Sequence, residues 1–466
     1  MEKVNQDWLF QPTGDPFADT GAWALKYFSE VNSGEDILRL IERSAKIYIN
    51  NWESKINPFF LNSTITQPAF KGERKLSETI KYFSGLLNET EPCINGSCRL
   101  LGYQTKVFIA GRDNHIMSGS GTFINFHHAF EPGVMLSKEA LIRIFFVPLG
   151  AVFIGNKVGV IGSNQKELEQ YFVKEIVNKN LTSIGQGTSS GIYKSPYGNP
   201  ANTLFEFIAK WNTELNYEGV DEIQVNLFHF TNFGASPDIV IYPFSARLFK
   251  FYHSMLKGEV FEHWRRFIRS HYRPPKGAVY QEAYDAFFVE DKKNVHERAE
   301  EETVKGYYNP IYNTLLIGGN IRTMMLKWCI RQYQAQRSFK MFQIAKLYQQ
   351  KLLDMKEETL NRIETIADIV ISNQDKRKKW LNALMRVKND STLRDFLLDL
   401  MKEQLHEGST EPVLRLRDYD KYFLSDGVYA KETRDLLLIS VYEKLADQNI
   451  REEIDYSGDE EQEKQL

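Results

Sequence analysis

The sequence predicts an α+β protein in which a large mixed N-terminal body is followed by an all-α C-terminal helical bundle. Up to about residue 320, segments with helical periodicity alternate with short runs of β-branched and aromatic residues. Beyond that point strand signals become rare, and no proline occurs between Pro310 and Pro412. Proline interrupts helices, so its absence favours consecutive helices. We therefore place the mixed body at 1–320, the bundle at 321–448 and an acidic, disordered tail at 449–466, with the domain boundary between Tyr308 and Lys340.

Composition narrows the class of protein. The 466 residues are 42% hydrophobic and 26% charged with a formal net charge of −3, as in ordinary globular proteins. Three cysteines cannot form a disulfide framework, which favours a reducing compartment. The first residues, MEKVNQDWLF, lack the pattern of a signal peptide, and no apolar run approaches the ~20 residues of a membrane span. We expect a cytoplasmic protein with no membrane partner.

The elements of the mixed body follow from local patterns. The stretch TGDPFADTGAWAL (Thr13–Leu25) predicts the entrance to a helix, with Asp19, Thr20 and Gly21 as N-cap candidates. Ala151–Ile161 predicts a β-hairpin that turns at its Gly-Asn pair. The remaining patterns predict strands at 103–110 and 238–244, helices at 165–180 and 202–218, and a surface loop at 185–200.

The predicted bundle carries an excess of positive charge. Apolar residues recur at helical spacing over 324–387, 392–407 and 431–446. Between Ile321 and Leu400 there are sixteen Lys or Arg against nine Asp or Glu. The candidate DNA contacts here are Arg331 and the KRKK run of Lys376, Arg377, Lys378 and Lys379. A helical face of this kind can follow a phosphate backbone, whereas a single charge run is more often only a solvated surface.

A second basic segment, which we call the belt, runs from Ser245 to Tyr280 and interleaves cations with aromatic rings. It holds eight Lys or Arg against two acidic residues. Guanidinium groups suit phosphate oxygens and rings suit bases, whereas the alternative is a solvated basic face backed by core aromatics. The candidate DNA contacts are Trp264, Arg265, Arg266, Arg269, Arg273 and Lys276, and the further candidate rings are Phe251, Tyr252, Phe267 and Tyr272.

Two cysteines raise the question of a metal site. Cys93 and Cys98 flank an Asn-Gly pair, and two thiols across a tight turn can bind one side of a zinc ion. Zinc requires four ligands, and the sequence offers no second pair nearby. We predict reduced loop thiols and no metal.

Evidence for catalysis is weak in the sequence. It lacks the Walker loop, the HExxH and GxSxG motifs and the dense carboxylate cluster of two-metal nucleases. The nearest approach to a catalytic pair is Asp113 with His115, followed by His127 and His128. Neighbouring residues of a strand point to opposite faces, so the two adjacent histidines rarely serve one site. A polar turn and ordinary packing explain these residues better, and we predict no catalytic residue and no cofactor.

Several motifs, in order, resemble one protein family. They are TGDPFADTGAWAL near the N-terminus, the cysteines Cys93 and Cys98, FINF at Phe123–Phe126, EPGVMLSKEAL, FFVPLGAVFIGNKVGVI, and KETRDLLLISVYEKL at Lys431–Leu445. This series is similar to the large subunit of type I-B CRISPR effector complexes, in the branch called the CXXC–CXXC family. The resemblance runs from about Thr13 to Leu445.

The chain departs from that family at its cysteines. The first pair has the spacing CxxxxC, and no cysteine occurs between Val134 and Leu141, where the second pair would fall. The family's zinc-ribbon lobe, near residues 90–165 here, would therefore have lost its metal and be held by packing. No zinc ligand is carried over to this chain.

The resemblance implies a non-catalytic DNA-handling subunit in antiviral defence. Its implied partners are guide RNA, target DNA, repeated backbone subunits and a separate helicase-nuclease. Its implied tasks are recognition of the target-adjacent motif (the loop at 185–200 is our candidate), duplex opening and binding of the displaced strand. The bundle would resemble the small subunit of such complexes, and in this subtype it is sometimes also made separately, for which Met324, Met325 and Met341 are candidate starts.

Two other classes of function stay open at the level of sequence. One is a metal-dependent nuclease that uses Asp113, His115, His127 and His128. The other is a protein-interaction scaffold whose basic faces bind acidic proteins. Salt-sensitive binding of single-stranded DNA without cleavage distinguishes the effector subunit from both.

Overall fold

The computed structural model is a mixed α+β structure, 58% helical and 13% strand, with helices in its C-terminal part and several small sheets. The predicted fold class is therefore confirmed. The structure describes residues 3–61, 63–118, 133–215, 222–231, 238–290, 296–406, 416–423 and 429–452. Most of the predicted acidic tail, as well as FINF and the two adjacent histidines, lies outside the described residues.

The elements within the described ranges are as follows. The helices are α1 (Gln6–Phe10), α2 (Pro16–Val31), α3 (Ile37–Ile47), α4 (Gly72–Asn88), α5 (Lys138–Gly150), α6 (Lys166–Gly185), α7 (Pro200–Leu215), α8 (Ala246–Met255), α9 (Val260–Ser270), α10 (Glu301–Lys305), α11 (Pro310–Leu316), α12 (Arg322–Gln334), α13 (Phe342–Leu352), α14 (Glu357–Ser372), α15 (Arg377–Met385), α16 (Asp390–His406), α17 (Leu416–Phe423) and α18 (Ala430–Asp447). The strands are β1 (Cys93–Ser97), β2 (Gln104–Ala110), β3 (Val134–Leu136), β4 (Val152–Ile154), β5 (Lys157–Ser163), β6 (Val225–Thr231), β7 (Asp238–Phe244), β8 (Ala278–Gln281), β9 (Ala286–Glu290) and β10 (His296–Arg298). In these parts of the chain, none of the helices combines the length and the apolar character needed to cross a membrane.

The chain divides into two compact units. The first contains the chain up to Ala246 together with 274–276 and 299–308, and the second contains 247–273, 277–298 and the chain from Asn309 onward. This division differs from the predicted one because most of the belt belongs with the C-terminal helices. A small three-stranded sheet, β8–β9–β10, also accompanies those helices, so the second unit is not purely helical.

The first unit is organised by the predicted helix entrance. Helix α2 begins at Pro16, and the carboxylate of Asp15 caps it by accepting from the backbone N–H groups of Phe17 and Ala18. The predicted N-cap was wrong, since Asp19 lies inside the helix and is buried. Its carboxylate accepts from the backbone N–H groups of Thr13, at 2.9 and 3.0 Å, and Gly14, at 2.8 Å, and so anchors the loop before the helix.

Helix α5 packs on α2 and is buried along almost its whole length. Arg143 of α5 has a fully buried side chain, whose guanidinium donates to the backbone carbonyls of Trp8 and Gln11 and lies 3.5 Å from Asp19. A buried charge needs such partners because it has lost its hydration. The TGDP stretch and α5 therefore form one polar network inside an apolar layer.

A four-stranded antiparallel sheet, in the order β4–β5–β6–β7, lies in the same unit. The hairpin β4–β5 turns at Gly155-Asn156, as predicted, and Gly155 has a φ of +61°, which favours glycine. The predicted strands at 103–110 and 238–244 correspond to β2 and β7. The loop at 185–200 adds to the edge of this sheet, because Phe153 of β4 exchanges backbone hydrogen bonds with Tyr193 and Ser195.

The lobe near residues 90–165 begins with the antiparallel sheet β1–β2–β3. The predicted Asn-Gly turn was wrong, since Asn95 and Gly96 lie within β1 and pair with Lys106 and Thr105 of β2. Cys98 is buried and its sulfur accepts from the backbone N–H of Ser137 at 3.3 Å. Cys98 therefore serves in packing.

In the second unit, helix α18 packs against α12, α13 and α14 and is largely buried. Its apolar residues join a core that contains Trp328, Trp380 and Tyr442. Glu443 of α18 accepts from the backbone N–H groups of Met341 at 2.6 Å and Phe342 at 2.7 Å, at the start of α13. The closing motif at Lys431–Leu445 is thus a central core helix.

Candidate nucleic-acid interface

The aromatic rings of the belt are buried. Helices α8 and α9 supply Phe251 and Trp264, whose ring centroids are 5.5 Å apart in an edge-to-face arrangement. Trp264 and Phe267 are 2% and 0% exposed, and Tyr252 and Tyr272 are also buried. These rings have no free face for a nucleobase, so the stacking role predicted for them is replaced by a role in the core.

Arg269 is likewise part of the interior. Its side chain is 9% exposed, and its guanidinium donates to the carboxylate of Asp285 at 3.0 Å and to the backbone carbonyl of the same residue at 3.0 Å. Phosphate contact would require breaking a partly buried ion pair, which costs more than a surface contact returns. Arg269 therefore has a structural role, and its pairing disfavours the predicted contact with DNA.

The two preceding arginines of α9 lie closer to the surface and have polar partners. Arg265 donates to Glu262 at 2.8 and 3.0 Å and lies 4.0 Å from Asp285. Arg266 is half-buried and reaches the amide oxygen of Gln332 at 3.4 Å. Exposed pairs of this type are weak, so Arg265 can exchange its carboxylate for a phosphate at little cost.

Arg273 and Arg331 come together around one histidine. His271 follows helix α9, is mostly buried, and its Nδ1 lies 2.7 Å from the backbone carbonyl oxygen of Phe267. Burial, together with the positive charges of Arg331 and Arg273, lowers the pKa of His271 to about 4. Both arginines are exposed and both act on the charge of His271, so the belt and the bundle each contribute one exposed cation near this histidine. We call Arg273 and Arg331 the arginine patch.

The KRKK run is not a free basic stripe. Arg377 is 6% exposed and donates through Nε to the backbone carbonyl of Ile371 at 2.9 Å, at the end of α14. Lys376 lies 3.4 Å from Glu403. Lys379 lies 2.8 Å from Asp399. Lys378 is exposed. Arg377 is thus a helix-capping residue, and two of the lysines are already neutralised by α16.

The other predicted contacts belong to the first unit. Lys276 is exposed in the short segment 274–276. Within the loop at 185–200, Lys194 is exposed and Ser195 is buried beside the edge strand β4. The loop therefore presents a single basic side chain on a backbone that the sheet edge holds in place.

The residues of the alternative nuclease site differ in their exposure to solvent. Asp113 is exposed, whereas burial lowers the pKa of His115 and its Nδ1 is buried without a hydrogen-bond partner. His127 and His128 lie outside the described residues. In the described ranges, no three His, Cys, Asp or Glu side chains are placed so that they could hold a metal ion.

Sequence reasoning missed the carboxylates that neutralise the predicted cations. Glu282 accepts from Arg337 at 2.7 Å, and Asp285 accepts from Arg269. Both follow strand β8, beyond the end of α9 and in a different part of the chain from the bundle. The only signal available was the acidic content of QEAYDAFFVE after the belt.

No protein-family model matches the chain, and no curated protein matches it.

The low pKa of His271 gives a prediction for stability. A histidine that is neutral when folded and titrates near 6.5 when unfolded stabilises the fold above pH 6.5. This contribution is lost as the pH falls from about 6.5 to about 4, and amounts to about 3 kcal/mol at most. In His271→Asn, urea unfolding should show less loss of stability over this interval. Parallel pH profiles for the two proteins would contradict the buried neutral histidine.

Proposed function

We propose that the protein is the non-catalytic large subunit of a type I-B CRISPR RNA-guided surveillance complex, in which it binds displaced DNA strand. The observation that carries this proposal is the ordered series of motifs between Thr13 and Leu445. In the structure three of these motifs occupy packing positions: TGDPFADTGAWAL forms the contact of α2 with α5, PLG ends α5 before the hairpin, and Lys431–Leu445 forms the core of α18. A shared order of packing motifs is what a common fold requires.

The proposed tasks are those that such a subunit performs beside guide RNA and target DNA. They are recognition of the target-adjacent motif, opening of the duplex there, and recruitment of the helicase-nuclease. The surface for displaced strand is narrower than the sequence suggested, because the core rings, Arg269 and Arg377 are buried. The arginine patch, with the half-buried Arg265 and the exposed Lys378 of the same unit, is the revised contact surface. Exposed cations of this kind contact phosphate groups and do not recognise bases. They therefore fit DNA binding that is independent of base sequence.

The double variant Arg273→Ala/Arg331→Ala tests this surface. Loss of two phosphate contacts should weaken binding of unrelated single strands about tenfold at moderate salt and reduce the salt dependence by about one and a half units. The measurement is fluorescence anisotropy of labelled oligonucleotides over a range of salt concentrations. Arg39→Ala is the matched control, since Arg39 is an exposed helical arginine of the first unit.

An unchanged affinity in the folded double variant would remove the arginine patch from the interface. The subunit role itself is tested separately, by expressing the chain with a guide RNA and the backbone subunits of a type I-B complex. Purification of one stable ribonucleoprotein that contains the chain is expected. A chain that stays apart from the assembled backbone and guide RNA would overturn the proposed function.

A further inference from the structure

A cavity of about 340 Å³ in the first unit takes no part in the proposed function. Helix α4 forms one wall with Glu78, Thr79, Tyr82 and Phe83, and Phe60 with residues 63–65 and 113–114 forms others. Helix α5 closes the bottom with buried side chains. Its volume lies within the range of sites for small molecules.

The floor of the cavity is apolar and aromatic. Phe83 and Phe145 are buried with ring centroids 4.7 Å apart, and the ring centroid of Phe60, which is also buried, lies 6.3 Å from that of Phe145. Ile65 and Leu141 complete the floor and are also buried. Such a floor favours the apolar body of a ligand, because burying apolar surface is the main source of affinity in a site of this size.

The rim of the cavity is acidic. Glu78, Glu91 and Asp113 line it against a single cation, Lys81. The Glu91 side chain lies against α4 at Gly85, where a Cβ would stand 2.6 Å from its Oε1, so the glycine makes room for this carboxylate. A three-to-one excess of negative charge favours a cationic ligand. Among the described residues no three His, Cys, Asp or Glu side chains are placed to hold a metal ion, and the apolar floor favours an organic cation.

A tyrosine connects the rim with the floor. The amide of Asn114 donates to the Tyr82 hydroxyl at 2.8 Å, and the amide oxygen of Asn114 accepts from the backbone N–H of Gly111 at 2.8 Å. Burial raises the pKa of Tyr82, and the charges of Asp113 and Glu91 raise it further. These two carboxylates and Tyr82 line the same cavity. An ammonium group placed there would meet both negative charge and an aromatic ring.

We propose that this cavity binds a small organic ammonium ion with an aromatic or aliphatic body. The ammonium group lies at the rim between Glu91 and Asp113, and the body lies on the rings of Phe60, Phe83 and Phe145. This inference does not depend on the proposed function, because it rests on a different surface of the chain.

Calorimetric titration of the full chain tests the proposal. The probe is 2-phenylethylamine at neutral pH, where it is a cation, and the matched probes are neutral 2-phenylethanol and anionic 3-phenylpropanoate. The amine should bind saturably with a dissociation constant on the order of 1 mM, as expected for a ligand of this size, and the anion should not bind. Equal binding of the alcohol and the amine would overturn the role of the acidic rim.

Substitutions then locate the binding site. Glu91→Gln keeps the shape of the side chain and should weaken amine binding about threefold to tenfold, with the alcohol unaffected. Glu73→Gln is the control, since Glu73 is an exposed residue of the same helix outside the cavity lining. Absence of saturable amine binding, or an equal loss in both variants, would overturn the proposal.

Discussion

Replacing Gly21 by alanine is expected to destabilise the first unit by about 3 kcal/mol or more, although alanine is the better helix former. Gly21 lies inside α2 where it meets α5. A Cβ at this position would overlap the carbonyl oxygen of Arg143 and stand 2.6 Å from its carbonyl carbon. Backbone atoms of a buried helix cannot rotate away, so the two helices would have to separate.

Separation of α2 from α5 would also disturb the buried charge of Arg143 and its contacts with Asp19 and the loop before α2. Urea unfolding of the full chain measures the effect as a lower midpoint of the transition that belongs to the first unit. Gly185→Ala is the matched control, because Gly185 is helical and a Cβ there meets nothing within 4 Å. It should leave stability unchanged or raise it by up to about 1 kcal/mol. Similar stability of the Gly21→Ala protein and the wild type would refute the close helix contact.

Elements that depend on neighbouring residues were predictable from the sequence. The hairpin at Ala151–Ile161 was found because a Gly-Asn pair between two β-branched runs specifies its turn locally. Helix α6 was found because its apolar spacing extends over several turns. In both cases residues close in sequence carry the pattern that specifies the element.

Elements that depend on residues distant in the sequence were not predictable from it. Asp19 has every property of an N-cap residue, but Asp15 takes that role and Asp19 instead anchors the loop at Thr13. Asn95-Gly96 is a favoured turn pair, yet pairing with β2 holds it in an extended strand. Tertiary contacts overrode a local preference in each case.

The candidate site shows the same limit more strongly. A count of charges along one segment does not include a carboxylate that the fold brings next to it from another part of the chain. In the sequence the belt carries almost only positive charge, but in the structure the carboxylate of Asp285 lies 3.0 Å from the guanidinium of Arg269. The KRKK run looked continuous, but the carboxylates of α16 neutralise two of its lysines, and Arg377 is buried. Of the predicted contacts, Arg273, Lys276, Arg331 and Lys378 kept the exposure expected of them.

The basic start of α12 has a structural purpose as well. Arg322 donates through Nε to Asp435 at 3.1 Å and pairs with Glu432, and all three side chains are at most 12% exposed. A separate fragment that begins at Met324 or Met325 would lack this arginine, and it would also lack α8 and α9, which belong to the same unit. We therefore expect such a fragment to be less stable than the unit in the full chain.

Arg322→Ala is expected to destabilise the second unit by about 3–5 kcal/mol, because it leaves Glu432 buried without its cation at the start of α18. Asp435 would be affected less, since Arg434 also donates to it at 2.7 Å. The measurement is urea unfolding followed through the transition of the second unit. Arg265→Ala, which breaks the exposed pair with Glu262, is the control and should cost less than about 1 kcal/mol.

A compensating substitution distinguishes a lost ion pair from lost packing. The double variant Arg322→Met/Glu432→Gln removes both charges and keeps side chains of similar length. It should recover at least half of the stability lost in Arg322→Ala, because no unpaired charge then remains at the position of Glu432. If the double variant is as unstable as Arg322→Ala, the arginine stabilises α12 against α18 through its methylene groups and not through its charge.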